Sequence, residues 1–301
     1  MLSVTILGNN SAVPAFNRHP TSQVVSHDGN NYLVDCGEGT QIQMIKYKIR
    51  RGKISHIFIS HLHGDHYFGL VGLLNTFGLL SHKQDLHVYG PAPLQQIIEL
   101  QMGVAETILP YKLYFHTLTK GEELVNDEKI RISCFPTTHR IECYGFLFEE
   151  KEGKRKLLIE KVRKLNIPVS FYTSLQNGLD YITPRGQRIN NDEVTSAPER
   201  GKKYAFCADT KYDENIIPYI NGADLVYHET TYLDNMRDKA LERFHATTKQ
   251  AAEIARKANV RKLLIGHFSS KYSTLEQFEQ EAREIFANTE LAIEGNTYEA
   301  H

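Results

Sequence analysis

What the chain lacks narrows its setting first. No apolar run approaches the roughly 18 to 20 residues that a bilayer span needs, and the first residues do not join a basic segment to an apolar signal core, so a cytoplasmic protein without membrane contact is expected. Cysteine is scarce: the four, Cys36, Cys134, Cys143 and Cys207, are irregularly spaced. That excludes a small disulfide framework and a CxxC zinc or redox pair, and leaves buried thiols as the expectation. No short repeat or low-complexity tract is present, which excludes repeat arrays. Net charge is almost nil at −1, but it is unevenly held. Residues 151–203 carry twelve Lys and Arg against six Asp and Glu, a net +6, which leaves −7 for the remainder. A basic segment on an acidic body suits a polyanionic partner. The 301 residues, 41% hydrophobic and 24% charged, are otherwise those of an ordinary globular protein of one large or two ordinary domains.

In chain order, residues 2–7 read as a buried strand that enters a turn-rich loop, Gly8 to Ser11. A second apolar run ends in Asp35-Cys36-Gly37, followed by a helix over 40–49. Residues 54–60 have the β-branched and aromatic content of a strand. The apolar stretch 67–80 reads as one buried helix loosened by Gly69, Gly72 and Gly78, and 86–90 as another strand. A helix over 95–103 and strands over 131–135 and 145–148 follow. Residues 151–200 then turn polar and basic, with an amphipathic stretch at 156–165, and look like an insertion. Strands at 203–207, 223–227 and 262–265 alternate with helices at 247–258 and 275–286, and 290–296 reads as a closing strand and turn.

Chemistry gathers where strands stop. The strand at 54–60 runs straight into His61-Leu62-His63-Gly64-Asp65-His66. Imidazole and carboxylate are the usual ligands of zinc, and Gly64 lets the backbone turn, so His61 and His63 can converge on one ion while Asp65 and His66 face another. The cluster supplies parts of two adjacent sites. Candidates to complete them are His139, Asp209 and His267, each just after a strand.

These residues carry a resemblance. HLHGDH resembles the HxHxDH signature of the metallo-β-lactamase superfamily, and ILGNNSAVPAFNR, YLVDCGEGTQIQ, LHVYGP, PTTHR, HETTY, FHATT and GHFSSKY together resemble the ribonuclease Z family over nearly the whole chain. The resemblance implies an α/β (α+β) fold: a four-layer αββα sandwich over 1–301 with a tRNA-binding arm inserted at about 151–200. It implies a homodimer that acts on precursor tRNA, with two zinc ions per subunit, other divalent ions being alternatives. His61, His63 and His139 would ligate one ion; Asp65, His66 and His267 the other; Asp209 would bridge. Two such ions about 3.5 to 4 Å apart suit in-line phosphodiester cleavage. Asp65 would also serve the nucleophile, and His245 would protonate the leaving oxygen, oriented by Glu229.

Substrate contacts expected from the same resemblance are Arg18, Ser269, Ser270 and Lys271 near the ions, and Lys156, Lys161, Arg163 and Lys164 on the arm. Two departures stand out. The arm reads Asn166-Ile167-Pro168-Val169 where relatives have a Gly-Pro-rich tip, so tip contacts do not carry over. Lys271 replaces a usual Arg, which keeps charge but loses the planar fork. The activity implied is removal of the 3′ trailer from tRNA precursors. Alternatives are hydrolysis of a small phosphodiester or thioester on the same fold, or an RNA-binding member without catalysis.

Overall fold

Alternation along the strands decides the layers. In Leu2–Gly8, Leu2, Val4 and Ile6 enter one buried cluster and Leu7 enters another. In Lys203–Cys207, Tyr204 and Phe206 point to that first cluster, whereas Ala205 and Cys207 point to a third. Side chains two apart share a face of a strand, so each sheet is apolar on both sides. Such sheets must be covered twice, by each other and by helices.

The computed structural model describes residues 1–301 and contains two seven-stranded sheets. The first runs, edge to edge, Thr297–Glu299, Leu2–Gly8, Ser22–His27, Asn30–Val34, Ile54–Phe58, Leu86–Gly90, Leu113–Thr117. The second runs Thr289–Leu291, Leu263–Gly266, Leu225–Glu229, Lys203–Cys207, Tyr144–Glu150, Ile130–Pro136, Glu123–Asn126. Between them lie Phe58, Phe146, Phe148, Tyr204 and Phe206, with the Phe58 ring 5.4 Å from Phe146 and edge-on to Phe148 at 5.8 Å. Removing one such ring costs about 3–5 kcal/mol. Helices Thr40–Lys46 and Leu70–Leu79 cover the outside of the first sheet, and Thr248–Lys257 and Glu276–Arg283 that of the second. This is the expected αββα sandwich. All four cysteines are buried and free.

The strands Ile54–Phe58, Lys203–Cys207, Leu225–Glu229 and Leu263–Gly266 lie in parallel runs of the two sheets. Their carboxyl ends deliver His61, Asp209, Thr230 and His267, which is where open α/β sheets place ligands.

Several local expectations are corrected. The helix expected over 67–80 is present as Leu70–Leu79, and a separate short helix, Gly64–Tyr67, precedes it. The break falls at Gly69, where a Cβ would lie 2.2 Å from the Gly37 carbonyl oxygen, so this chain crossing requires glycine. The helix over 40–49 stops at Lys46, and Lys48 turns away at φ 56°. The closing strand is shorter, Thr289–Leu291, and a further strand, Thr297–Glu299, pairs with Leu2–Gly8 in the other sheet. Strands Ser22–His27, Leu113–Thr117 and Glu123–Asn126 carry too many polar residues for their apolar pattern to stand out.

Residues Asp127–Lys129 with Glu150–Gly201 form a second compact unit. It has its own small core of Val162, Ile167, Leu175, Ile189 and Val194. Helix Ile159–Lys164 buries Val162 and leaves Lys161, Arg163 and Lys164 exposed. Asn190 and Glu193 form a reciprocal capping box, and the buried Asn191 amide donates to the carbonyls of Leu175 and Leu179 at 2.8 and 2.9 Å. Those bonds tie together segments too short to hold a fold by apolar burial alone.

Candidate metal centre

Seven donors expected from the sequence meet at one end of the sandwich. His61, His63, His139 and Asp209 place one ligand atom each within 4.8 Å of one another, and Asp65, His66 and His267 do the same beside them. The Nδ1 of His63 lies 3.0 Å from His61 Nε2 and 3.1 Å from His139 Nε2. Asp209 stands between the groups. Its Oδ2 faces His61 and His139, both at 3.7 Å, and its Oδ1 faces His66 at 3.4 Å and His267 at 3.2 Å. Asp65 Oδ2 is 3.6 Å from His66 Nε2 and 3.5 Å from His267 Nε2, and it accepts the Ala12 N–H at 2.7 Å.

The outer partners set the tautomers. Ser60 Oγ donates to Asp35 Oδ2 at 2.8 Å, so its lone pairs are free to accept His61 Nδ1–H at 3.0 Å. His66 Nδ1 donates to Asp35 Oδ2 at 2.7 Å, and His139 Nδ1 donates to the Phe244 carbonyl at 3.0 Å. Thr231 Oγ1 donates to Glu229 Oε2 at 2.8 Å and accepts from His267 Nδ1 at 2.9 Å. In all four rings the proton is held outside, and the Nε2 lone pair points inward. Inside, His66 Nε2, His267 Nε2 and Asp209 Oδ1 are buried without any hydrogen-bond partner. Buried polar atoms left unmet in this way are costly unless something binds them. The donor set therefore fits a pair of divalent ions: four converging imidazoles and two carboxylates with matching tautomers, plus the Nδ1 of His63.

Charge separates the rings, and His66 would have to give up an inner proton to ligate. Burial, then the charge of His66, holds His61 well below the usual histidine range. His63 is brought down to about 4 by burial and by His139. For His66 burial pulls down as well, but Asp209, Asp65 and Asp35 outweigh it and raise the ring well above its usual value.

His245 is placed differently. Its Nδ1 lies 2.9 Å from Glu229 Oε1 and 3.1 Å from Thr231 Oγ1, so that nitrogen is engaged and the ring is not free to ligate through it. Burial lowers its pKa, but the charge and hydrogen bond of Glu229 prevail and raise it to about 9. The Glu229 carboxylate is itself buried and accepts the N–H groups of Thr210, Thr231 and Ala246. His245 lines a cleft of about 470 Å³ with His63, Asp65, Phe68, Arg140 and Asp209.

The substrate candidates are scattered more widely. Ser269 is half-buried at the end of a short parallel pairing with Ser11, and Ser270 is half-buried beside it; Lys271 is exposed, its ammonium 5.6 Å from the Tyr272 ring. Arg18 is a correction in emphasis. Its guanidinium is buried and committed to Asn10 Oδ1 at 2.9 Å and to the carbonyls of Tyr272 and Ser273, so it ties loops together. Lys156 is exposed and paired with Glu199.

Three residues escaped the sequence reading. Asp35 is fully buried, held at φ 54°, and binds Ser60 N–H, Ser60 Oγ and His66. Thr231 links Glu229, His245 and His267. Arg140 borders the cleft, 3.4 Å from His63 Nε2, and its position directly after His139 was a usable signal.

Comparison with known proteins decides the family. A family model described as "Anti-Pycsar protein Apyc1" matches residues 2–159, which stops short of Asp209, His245 and His267. The chain is 41% identical over 294 residues to the ribonuclease Z of Porphyromonas gingivalis, covering 97% of each. It is 40% identical over 291 residues to the ribonuclease Z of Bacteroides thetaiotaomicron, covering 96% of this chain and 92% of that one. The chain belongs to the ribonuclease Z family. Among solved structures, human tRNase Z, short form, superposes with a TM-score of 0.74 at 27% identity over 99% of both chains. YhfI of Bacillus subtilis, a metallo-β-lactamase fold protein, superposes with a TM-score of 0.70 at 18% identity over 99% of this chain and 98% of that one, which bears on the fold alone. Family membership places the chain among metal-dependent hydrolases of the metallo-β-lactamase fold.

Proposed function

We propose that this protein is a metal-dependent endoribonuclease that removes the 3′ trailer from tRNA precursors, leaving a 3′-hydroxyl on the tRNA and a 5′-phosphate on the trailer. One observation carries the reading: a bridged seven-donor set for two ions stands beside a histidine–glutamate pair, in a chain that matches ribonucleases Z from end to end. His61, His63 and His139 would hold one zinc ion and Asp65, His66 and His267 the other, with Asp209 available to both. When bound, the pair supplies Lewis-acid polarisation of the phosphodiester and a water acidic enough to lose its proton near neutral pH.

The chain's own groups do the rest. Asp65, fixed by the Ala12 N–H, orients the nucleophile and accepts its proton. Glu229 keeps the His245 Nδ1 occupied and the ring protonated, so Nε2 presents a proton to the leaving 3′-oxygen at the cleft. Arg140 and Lys271 supply positive charge for flanking phosphates. The exposed Lys161, Arg163 and Lys164 of the 150–201 unit supply more, a pattern that reads the shape of a tRNA rather than its sequence. The protein acts in the cytoplasm as a homodimer; Ile42 and Ile45, 61% and 64% exposed on one helix, offer the kind of apolar face a subunit contact covers.

The test is incubation with end-labelled precursor tRNA, with and without a chelator, mapping the cut and the chemistry of both ends. Cleavage that persists without metal, or no cut near the 3′ end of the tRNA, overturns the reading.

A further inference from the structure

A second cavity, of about 440 Å³, opens between the helical turn Arg51–Lys53 and the segment leaving helix Leu70–Leu79. It sits at the start of strand Ile54–Phe58, whereas the metal donors follow that strand's end. At a rise of about 3.3 Å per residue, the eight residues from Lys53 to His61 put the two roughly 25 Å apart. The cavity is therefore not part of the cleft described above.

Three features of its wall point the same way. Arg51 and Lys83 both line it, and neither is paired with a carboxylate. His82, only 8% exposed, stacks on Phe77 with ring centres 5.0 Å apart and meets Tyr111 edge-on at 5.2 Å. Its Nε2 is buried without a hydrogen-bond partner. The helix end that borders the cavity has some of its carbonyls already bonded. The carbonyls of Phe77 and Gly78 are taken by the N–H groups of His82 and Ser81 at 2.9 and 3.1 Å. The wall thus offers two unpaired charges beside the apolar side chains of Ile49 and Leu80, with the His82 ring packed among them.

We propose that this cavity binds the phosphate group of a nucleotide. Arg51 offers a planar fork to two phosphate oxygens and Lys83 a point charge. Ile49 and Leu80 form a wall against which a base can lie. The volume falls within the roughly 300–1,000 Å³ of small-molecule sites, enough for a mononucleotide. A free mononucleotide and a nucleotide within the RNA chain share this chemistry, and the two are separable by experiment.

The experiment follows the His82 ring directly. Protein labelled with ¹⁵N at histidine and loaded with metal is titrated with 5′-AMP, adenosine, inorganic phosphate and precursor tRNA, reading the His82 imidazole signal. The expected result is saturable movement with 5′-AMP and none with adenosine. Arg51→Gln/Lys83→Gln weakens 5′-AMP binding at least tenfold while leaving kcat on precursor tRNA unchanged. Movement with precursor tRNA but not with 5′-AMP, and a raised KM for the double variant, assigns the phosphate to the RNA chain. An unmoved His82 signal with every phosphate probe overturns the proposal. Equal responses to adenosine and 5′-AMP, or wild-type affinity in the double variant, do so as well. The His82 signal and the 5′-AMP affinities are read whether or not the protein cleaves tRNA.

Discussion

Asp35→Asn replaces one carboxylate oxygen by an NH₂ group at a fully buried position 2.7 Å from His66 Nδ1. Asparagine tolerates the left-handed backbone at φ 54°, so the loop keeps its course. The carboxylate accepts from Ser60 N–H at 2.7 Å, Ser60 Oγ at 2.8 Å and His66 Nδ1–H. The amide has one acceptor and one donor group, so it satisfies Ser60 N–H or His66, not both. If it serves the backbone, its NH₂ faces His66 Nδ1, the proton moves to Nε2, and that nitrogen no longer ligates. Outer partners of metal-bound histidines are worth about 10- to 100-fold in metal affinity, or about 1.4–2.8 kcal/mol. The mismatched buried donor costs about 1–3 kcal/mol of stability, which a domain of ordinary stability survives. Competition with a chromophoric chelator should show one weakened ion, that of Asp65, His66 and His267, and a nearly intact second. Equal loss of both ions, or loss of neither, refutes the reasoning.

Other outcomes follow from the same geometry. Because His245 must be protonated to donate, cleavage should hold below its pKa of about 9 and fall as pH rises through it. Glu229→Gln removes the charge that raises that pKa, and the alkaline limb of the pH–rate profile should move down by at least about one unit, toward the ordinary imidazole value of about 6.5. Thr231→Val should lower kcat about tenfold and weaken the ion at His267, whereas Thr231→Ser keeps the hydroxyl and should restore both. Deleting 155–195 should abolish precursor cleavage yet spare a small phosphodiester; equal loss of both counts against a binding role for the arm. Replacing Lys161, Arg163 and Lys164 with Gln should reduce the salt slope of tRNA binding by about one for each phosphate that those side chains neutralise.

The donors were legible because metal chemistry admits few residue types, and four strand ends each carried one or more of them. The His61–His66 cluster, His139, Asp209 and His267 are far apart in sequence, but each follows a strand, and the two sheets bring those strand ends together. The residues that orient them were not legible. Asp35 reads as a turn residue after a strand, and Ser60 and Thr231 as ordinary hydroxyls; only the packed sheets show that one oxygen of Asp35 receives both Ser60 and His66. The late start of the helix expected over 67–80 has the same cause. Its apolar pattern is continuous, and the break at Gly69 comes from the Gly37 loop crossing it. Arg18 shows the reverse, a charged side chain suited to phosphate that packing buries and that also bonds Asn10, Tyr272 and Ser273.

The central claim, that the seven donors form one bridged site for two ions, is tested most directly by metal content. Elemental analysis of the purified protein and of Asp209→Ala, each assayed on precursor tRNA, should give two ions per chain for the first, with cleavage. The variant should hold at most one, without cleavage. Two retained ions in Asp209→Ala, or full cleavage by a chain that holds none, would contradict it.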